Sequence, residues 1–175
     1  MKSGLAVAIF SVEALKNLGI VLKGDLIIES VAGEETGGCG TLATIVKGYR
    51  ADAVIITEPT RLRLCPVQSG ALSFRIKVEG RSIHACMKNR GISAVEKFFL
   101  LFRAMEAFEK MRHRRYSNPL YEDPMNVAPI NVGVLKSGDW PSTVPDKLVA
   151  EGRFGIFPGE SVKRARDDFM EMIAN

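Results

Sequence analysis

Apolar positions recur along this chain at two different periods. Residues 3–18 place Leu5, Ile9, Val12 and Leu15 at helical spacing, and Gly19 follows, which predicts an amphipathic helix that stops there. Asp25–Val31 and Ala53–Thr57 are apolar runs of strand length, and Thr41–Lys47 between them predicts a helix ending at Gly48. The order helix–strand–helix–strand predicts a parallel α/β layer. Beyond residue 70 the period changes. Leu72, Phe74, Ile76 and Val78 alternate on one face of a half-buried strand over Ala71–Val78. The polar loop EGRSIHACMKNRG leads into a long helix from Ile92 to Arg112, whose apolar stripe of Val95, Phe98, Phe99, Phe102, Met105 and Phe108 should face the core. Strands Val127–Leu135 and Leu148–Phe157 follow, joined by KSGDWPSTVPD, and Gly159–Glu160 open a last amphipathic helix.

The second part therefore reads β-α-β-β-α. A split βαβ sandwich needs one more strand after that helix, and none is in the sequence. The first part holds two strands without a clear start. Both ends are expected to be cut, and the sheet of the second part to present an unpaired edge.

Composition leaves this picture intact. The chain has 175 residues, enough for one domain or somewhat more; 46% are hydrophobic and 25% charged, as in soluble globular proteins. The net charge of +4 is scattered, apart from Arg112, His113, Arg114 and Arg115 at the predicted end of the long helix. Cations belong at a helix C-terminus. Without interleaved aromatics they do not indicate nucleic-acid binding, and His113 reads as a helix-end cation. Cys39, Cys65 and Cys86 form no CxxC pair, which disfavours a thiolate metal site and fits a reducing cytoplasm. No apolar run is long enough to span a membrane, and no signal-peptide pattern stands at the N-terminus.

The candidate chemistry is acidic. Glu34 and Glu35 sit together in IIESVAGEETGG, just past the first predicted strand, and Glu58 ends the second. Carboxylates at the C-terminal edge of an α/β sheet stand where such sheets do their chemistry. Of two adjacent glutamates, one can hold a cation while the other moves protons. The spacing alone equally allows a solvated loop. Gly37, Gly38 and Gly40 lack the lysine and hydroxyl of a phosphate cradle and fit a tight turn into a helix.

Five segments, MKSGLAVAIFSVEALKNLG, SVAGEETGG, ITEPT, FRIKVEGRSIHA and STVPDKLVAEGRFGIFPGE, resemble the M20 family of metal-dependent amidohydrolases in sequence and in order. The last is most similar to the branch of acetylornithine deacetylases and succinyl-diaminopimelate desuccinylases. The resemblance implies a fold class: a partial parallel-sheet catalytic α/β domain over residues 1–63, and an α+β ferredoxin-like lid and dimerisation domain over 64–175. It implies roles as well. Glu34 matches the general acid/base, and Glu35 and Glu58 match one ligand each of two divalent metals, zinc or cobalt. His84 matches the lid histidine that reaches a neighbouring active site to donate to the oxyanion. Arg153 matches an arginine that meets the substrate carboxylate, with a lid-surface residue as the alternative. The implied substrate is an N-acyl amino acid, and the implied assembly a homodimer through the lid.

The sequence also departs from that pattern. The family's His-x-Asp segment, its bridging aspartate and its C-terminal histidine have no counterpart here, so only Glu35 and Glu58 of the expected ligands are present. Catalytic zinc usually has three protein ligands. The isolated chain is expected to be inactive and to hold no metal tightly. Ser142 stands where many relatives carry asparagine, which leaves the substrate open. A dipeptidase or carboxypeptidase of the same family is the rival enzyme, and a non-catalytic dimerisation module the rival from another class.

Overall fold

The computed structural model describes residues 2–35, 37–116, 118–121 and 123–174. The chain divides into two compact units, Met1–Cys65 and Pro66–Asn175.

The first unit contains helices α1 (Lys2–Asn17) and α2 (Cys39–Val46). Leu5, Ala8, Val12 and Leu15 are the half-buried stripe of α1. Both helices end as their glycines require. Gly19 and Gly48 take positive φ of 69° and 94°. In each case the glycine N–H and the next N–H donate back into the last turn: Gly19 to Lys16 and Ile20 to Leu15, Gly48 to Ile45 and Tyr49 to Thr44. This paired closure satisfies carbonyls that a helix end leaves free.

The two expected strands of this unit are a correction. Asp25–Val31 and Ala53–Thr57 are recorded as irregular chain. Among the described residues, no backbone hydrogen bond ties either segment to a neighbour. A strand is defined by its ladder, and an apolar run without a partner cannot form one. Val54, Ile55 and Ile56 are 75, 91 and 67% exposed. No described residue of the first unit reaches full burial.

The second unit is the α+β sandwich that the pattern predicts. Strands β1 (Gly70–Glu79), β2 (Ile130–Ser137) and β3 (Lys147–Ile156) are joined by α3 (Ala94–Arg115) and followed by α4 (Val162–Ala174). The sheet order is β1-β3-β2, with both pairings antiparallel. The register opposes Gly70 to Ile156 and Glu79 to Lys147 in one pair, and Ile130 to Phe154 in the other, with a bulge between Val132 and Val134. β3 is central and carries Leu148, Ala150, Phe154 and Ile156 into the core. Phe98 and Met105 of α3 and Ala165 and Phe169 of α4 cover that face. Phe154 stacks on Phe169 with centroids 4.5 Å apart.

Two side chains of α3 depart from expectation. Phe99 is 60% exposed, whereas Val95, Phe98, Phe102, Met105 and Phe108 join the core. It lies about 100° around the helix from Phe98, off the stripe. His113 is buried, as is Arg112. The chain after α3 folds back over this helix end: Tyr116 stacks on Phe157 at 4.1 Å, and Val127 and Ala128 are buried beside it.

Candidate functional site

His84 lies in the loop between β1 and α3, and backbone pairing fixes that loop at two places. Arg81 and Ile92 exchange both N–H···O bonds, at 2.8 and 3.0 Å. On the other side, His84 bridges Thr143; Ala85 N–H donates to the Ser142 carbonyl at 2.8 Å and Val144 N–H to that of Ile83 at 2.9 Å. Thus His84 and Ser142, 58 positions apart in sequence, become neighbours. A short 3-10 segment, Ala85–Arg90, starts immediately after His84.

The histidine is oriented by its own neighbours. His84 Nδ1 accepts the N–H of Cys86 at 3.2 Å and lies 3.1 Å from Cys86 Sγ. An accepting Nδ1 leaves the proton of the neutral ring on Nε2, which is then a donor. The ring meets Trp140 edge-on, with centroids 5.9 Å apart. Trp140 is 57% exposed. It lines an open groove of about 530 Å³ with Ser82, Asp139, Thr143, Asp146 and Lys147. Trp140 and Cys86 were not among the residues the pattern singles out. The chain's single tryptophan, in a Pro- and Gly-containing loop, is the signal that could have marked one of them.

Arg153 stands apart from this loop. It lies on β3 opposite Ser73 and Asn131, exposed on the sheet face away from the helices. Lys147 to Arg153 spans about 20 Å of strand, so Arg153 and His84 mark opposite ends of the sheet. Among the described residues its guanidinium makes no ion pair, while Arg75 and Glu151 on the same face pair at 2.8 Å.

Glu34, Glu35 and Glu58 belong to the first unit and are all exposed. Glu34 and Glu35 occupy the tip of a closed loop in which Gly37 N–H donates to the Glu34 carbonyl and Gly38 N–H to that of Gly33, at 3.2 and 2.8 Å. Gly38, at φ 72°, caps α2. The glycine cluster thus turns the chain into a helix, as its composition suggests. Glu29 accepts from Thr44 Oγ1 at 3.0 Å and ties the preceding segment to α2. Among the described residues, no group of three or more His, Cys, Asp and Glu side chains converges as a metal cage. The described carboxylates therefore do not by themselves form a two-metal centre.

Comparison with known proteins places the chain. The family described as peptidase dimerisation domain of the M20 group matches residues 67–175. N-formyl-4-amino-5-aminomethyl-2-methylpyrimidine deformylase of Halalkalibacterium halodurans is 30% identical over 171 residues, covering 92% of this chain and 39% of that protein. Acetylornithine deacetylase of Buchnera aphidicola is 29% identical over 137 residues, 74% of this chain and 35% of the relative. Among solved structures, an aminohydrolase from methicillin-resistant Staphylococcus aureus aligns over 62% of this chain and 25% of its own, at 18% identity and a TM-score of 0.45. The chain thus spans about two-fifths of the length of these curated relatives. It belongs to the M20 family of hydrolases, and residues 67–175 are the dimerisation domain of that family.

Proposed function

We propose that this chain contributes part of the active centre of a dinuclear metal-dependent amidohydrolase that removes a small acyl group from an N-acyl amino acid. The observation that supports this reading best is the pinned loop carrying His84. It holds an imidazole whose Nε2–H meets no acceptor among the described residues, next to Ser142 and edge-on to Trp140, which lines an open groove. A positioned donor of this kind suits the oxyanion of a tetrahedral intermediate. The names of the two curated relatives favour acyl removal over dipeptide cleavage, since one is a deformylase and the other a deacetylase.

In this reading residues 1–63 belong to the catalytic domain and 64–175 form the lid, through which two copies pair. Glu34 carries the proton, and Glu35 and Glu58 supply one ligand each to two divalent metals, zinc or cobalt; among the described residues no group of three or more donors converges beside them. Those metals would supply charge to polarise the amide carbonyl and activate water. What the chain's own side chains do is narrower. Glu34 takes and returns a proton at its carboxylate, His84 donates through Nε2, and Ser142 contacts the substrate. Arg153 is the assigned partner of a substrate carboxylate, by a bidentate fork. Three free cysteines fit a cytoplasmic setting.

The test uses the full reading frame that contains this chain. The continuous reading frame is expressed and assayed with zinc or cobalt on N-acetyl amino acids, N-formyl amines and dipeptides. Release of acetate from N-acetyl amino acids, lowered about 10²–10⁴-fold by Glu34→Gln, is the expected outcome. Preference for dipeptides would turn the assignment to a peptidase. If no substrate is cleaved with either metal, the second reading stands, a non-catalytic dimerisation module. None of the described residues of the first unit is fully buried, whereas the second unit is well packed, and this favours that reading for the chain alone.

A further inference from the structure

We propose that Trp140 is a positioning residue for His84: its indole holds the imidazole in the pose that presents Nε2–H to a reacting group. The proposal deepens the hydrolase reading and rests on it. His84 is exposed, and the Cys86 N–H reaches its Nδ1 at 3.2 Å, the long end of the usual range. That bond decides which nitrogen of the neutral ring carries the proton. It does not by itself keep an exposed imidazole from swinging, because water offers the ring competing hydrogen bonds. Trp140 supplies a second point of hold. The two rings stand edge-on, with centroids 5.9 Å and planes 65° apart, within the range of favourable aromatic pairs.

The indole is placed by the same pairing that places the histidine. Thr143 N–H donates to the Trp140 carbonyl at 3.1 Å and closes a turn, and Thr143 is also the residue that bridges His84. Core packing does not account for Trp140. It belongs to neither hydrophobic cluster and stays more than half exposed. Among the described residues, His84 is the one ring it meets. An edge-on pair of this kind shifts the balance between held and swung imidazole by about two- to tenfold. The oxyanion exists only in the transition state, so losing the hold should lower kcat and leave KM alone.

The chain has one tryptophan, so its fluorescence reports on this place alone. An imidazolium in contact quenches an indole by accepting an electron from its excited state. Lowering the pH from about 8 to about 5.5 charges histidine and should dim the emission of this chain. In His84→Asn, which retains His113, the emission should stay level. Asp139, Asp146 and Lys147 line the groove beside Trp140 and are unchanged in that variant, so lost dimming belongs to His84. Equal dimming in both chains, or none in the parent, would overturn the proposal. The enzyme made from the full reading frame gives the second arm. Trp140→Ala is expected to lower kcat about tenfold with KM within about twofold, and Trp140→Phe, which still offers an aromatic edge, to recover most of the rate. Its melting temperature should move by no more than about 2 °C, as for a surface change. In a His84→Asn background, Trp140→Ala should lower kcat no further, because no imidazole is left to hold. A raised KM at unchanged kcat, or the same tenfold loss on top of His84→Asn, would overturn the positioning role. Absence of any cleavage by the parent enzyme would sink the hydrolase reading and the catalytic half of this proposal with it. The fluorescence separates that failure from a missing contact.

Discussion

At Arg112 a charge lies where the core would otherwise be apolar, and its partners decide what that costs. Arg112 is 8% exposed, and its guanidinium sits over the rings of Phe154 and Phe157, 4.3 and 4.8 Å from their centroids. Nη1 donates to the Gly155 carbonyl at 3.0 Å, and Nη2 to Glu160 Oε2 at 2.6 Å. Burial lowers the pKa of Arg112, and the charge and hydrogen bond of Glu160 oppose that shift. Glu160 itself is closer to solvent and also accepts the Phe157 N–H at 2.9 Å. The two ends of this pair are therefore unequal. Glu160→Ala removes the hydrogen-bonded counter-charge of a buried cation, leaving only the weaker effects of Asp168 and Glu109, and is expected to cost about 3 kcal/mol. Arg112→Met leaves a carboxylate that water can reach, inside a ring-lined space that a thioether fills, and should cost less. Urea unfolding followed by circular dichroism measures both, and a larger loss for Arg112→Met would contradict this account. The sequence places Arg112 and His113 correctly in the last turn of a helix, but not inside the protein. The returning loop of Tyr116 and Val127–Ala128 buries them, and that contact has no local signature. His113 Nδ1 donates to the Glu109 carbonyl at 2.8 Å, its ring edge meets Phe157, and Nε2 finds no partner among the described residues.

Elements whose apolar period could be satisfied within the second unit appear almost as read. β1 turns Leu72, Phe74, Ile76 and Val78 toward α3 and α4, as alternation demands. α3 starts at the cap of Ser93, whose hydroxyl accepts the Glu96 N–H at 3.2 Å. The misreadings share one cause: a pattern shows that a face is apolar, not that something covers it. Phe99 extends the stripe in sequence yet turns away from the sheet, and Asp25–Val31 and Ala53–Thr57 have strand composition without a neighbouring strand. A pair of substitutions separates these cases. Phe154→Ala removes a ring with no exposure that touches Phe108, Phe169 and Arg112, and should cost about 3–5 kcal/mol. Phe99→Ala, on the exposed side of α3, should change stability by no more than about 0.5 kcal/mol. Thermal unfolding of the two variants reads the difference. A comparable loss for Phe99→Ala would mean that this face of α3 is covered in solution. The candidate site divides along the same line. His84, Ser142 and the acidic residues were legible as motif positions. The bridge that seats His84 beside Ser142, and the contact with Cys86, arise from pairing across two loops that no local pattern encodes.

For the molecule as a whole, the two units differ in what holds them. Pro66–Asn175 has a continuous core built from every one of its strands and both long helices. Met1–Cys65 has two capped helices and exposed apolar segments, and none of its described residues is fully buried. Proteases cut chain that can open locally, and the free energy of local opening follows buried contact. Limited trypsin digestion, analysed by mass spectrometry, should therefore remove the first unit early, at Lys16, Lys23, Lys47 or Arg50, and leave a resistant product that begins near Pro66. If residues 1–60 outlasted the rest, the contrast in packing drawn here would be wrong. The resistant product carries a sheet whose outer strands, β1 and β2, pair on one side only among the described residues. Such edges present a row of free donors and acceptors to another strand. The matched dimerisation domain covers the same stretch. Sedimentation of that product should thus give a mass twice that of the single fragment, so that pairing is retained after the first unit is gone. A monomer at all accessible concentrations would show that pairing, if the intact chain pairs, does not reside in residues 67–175.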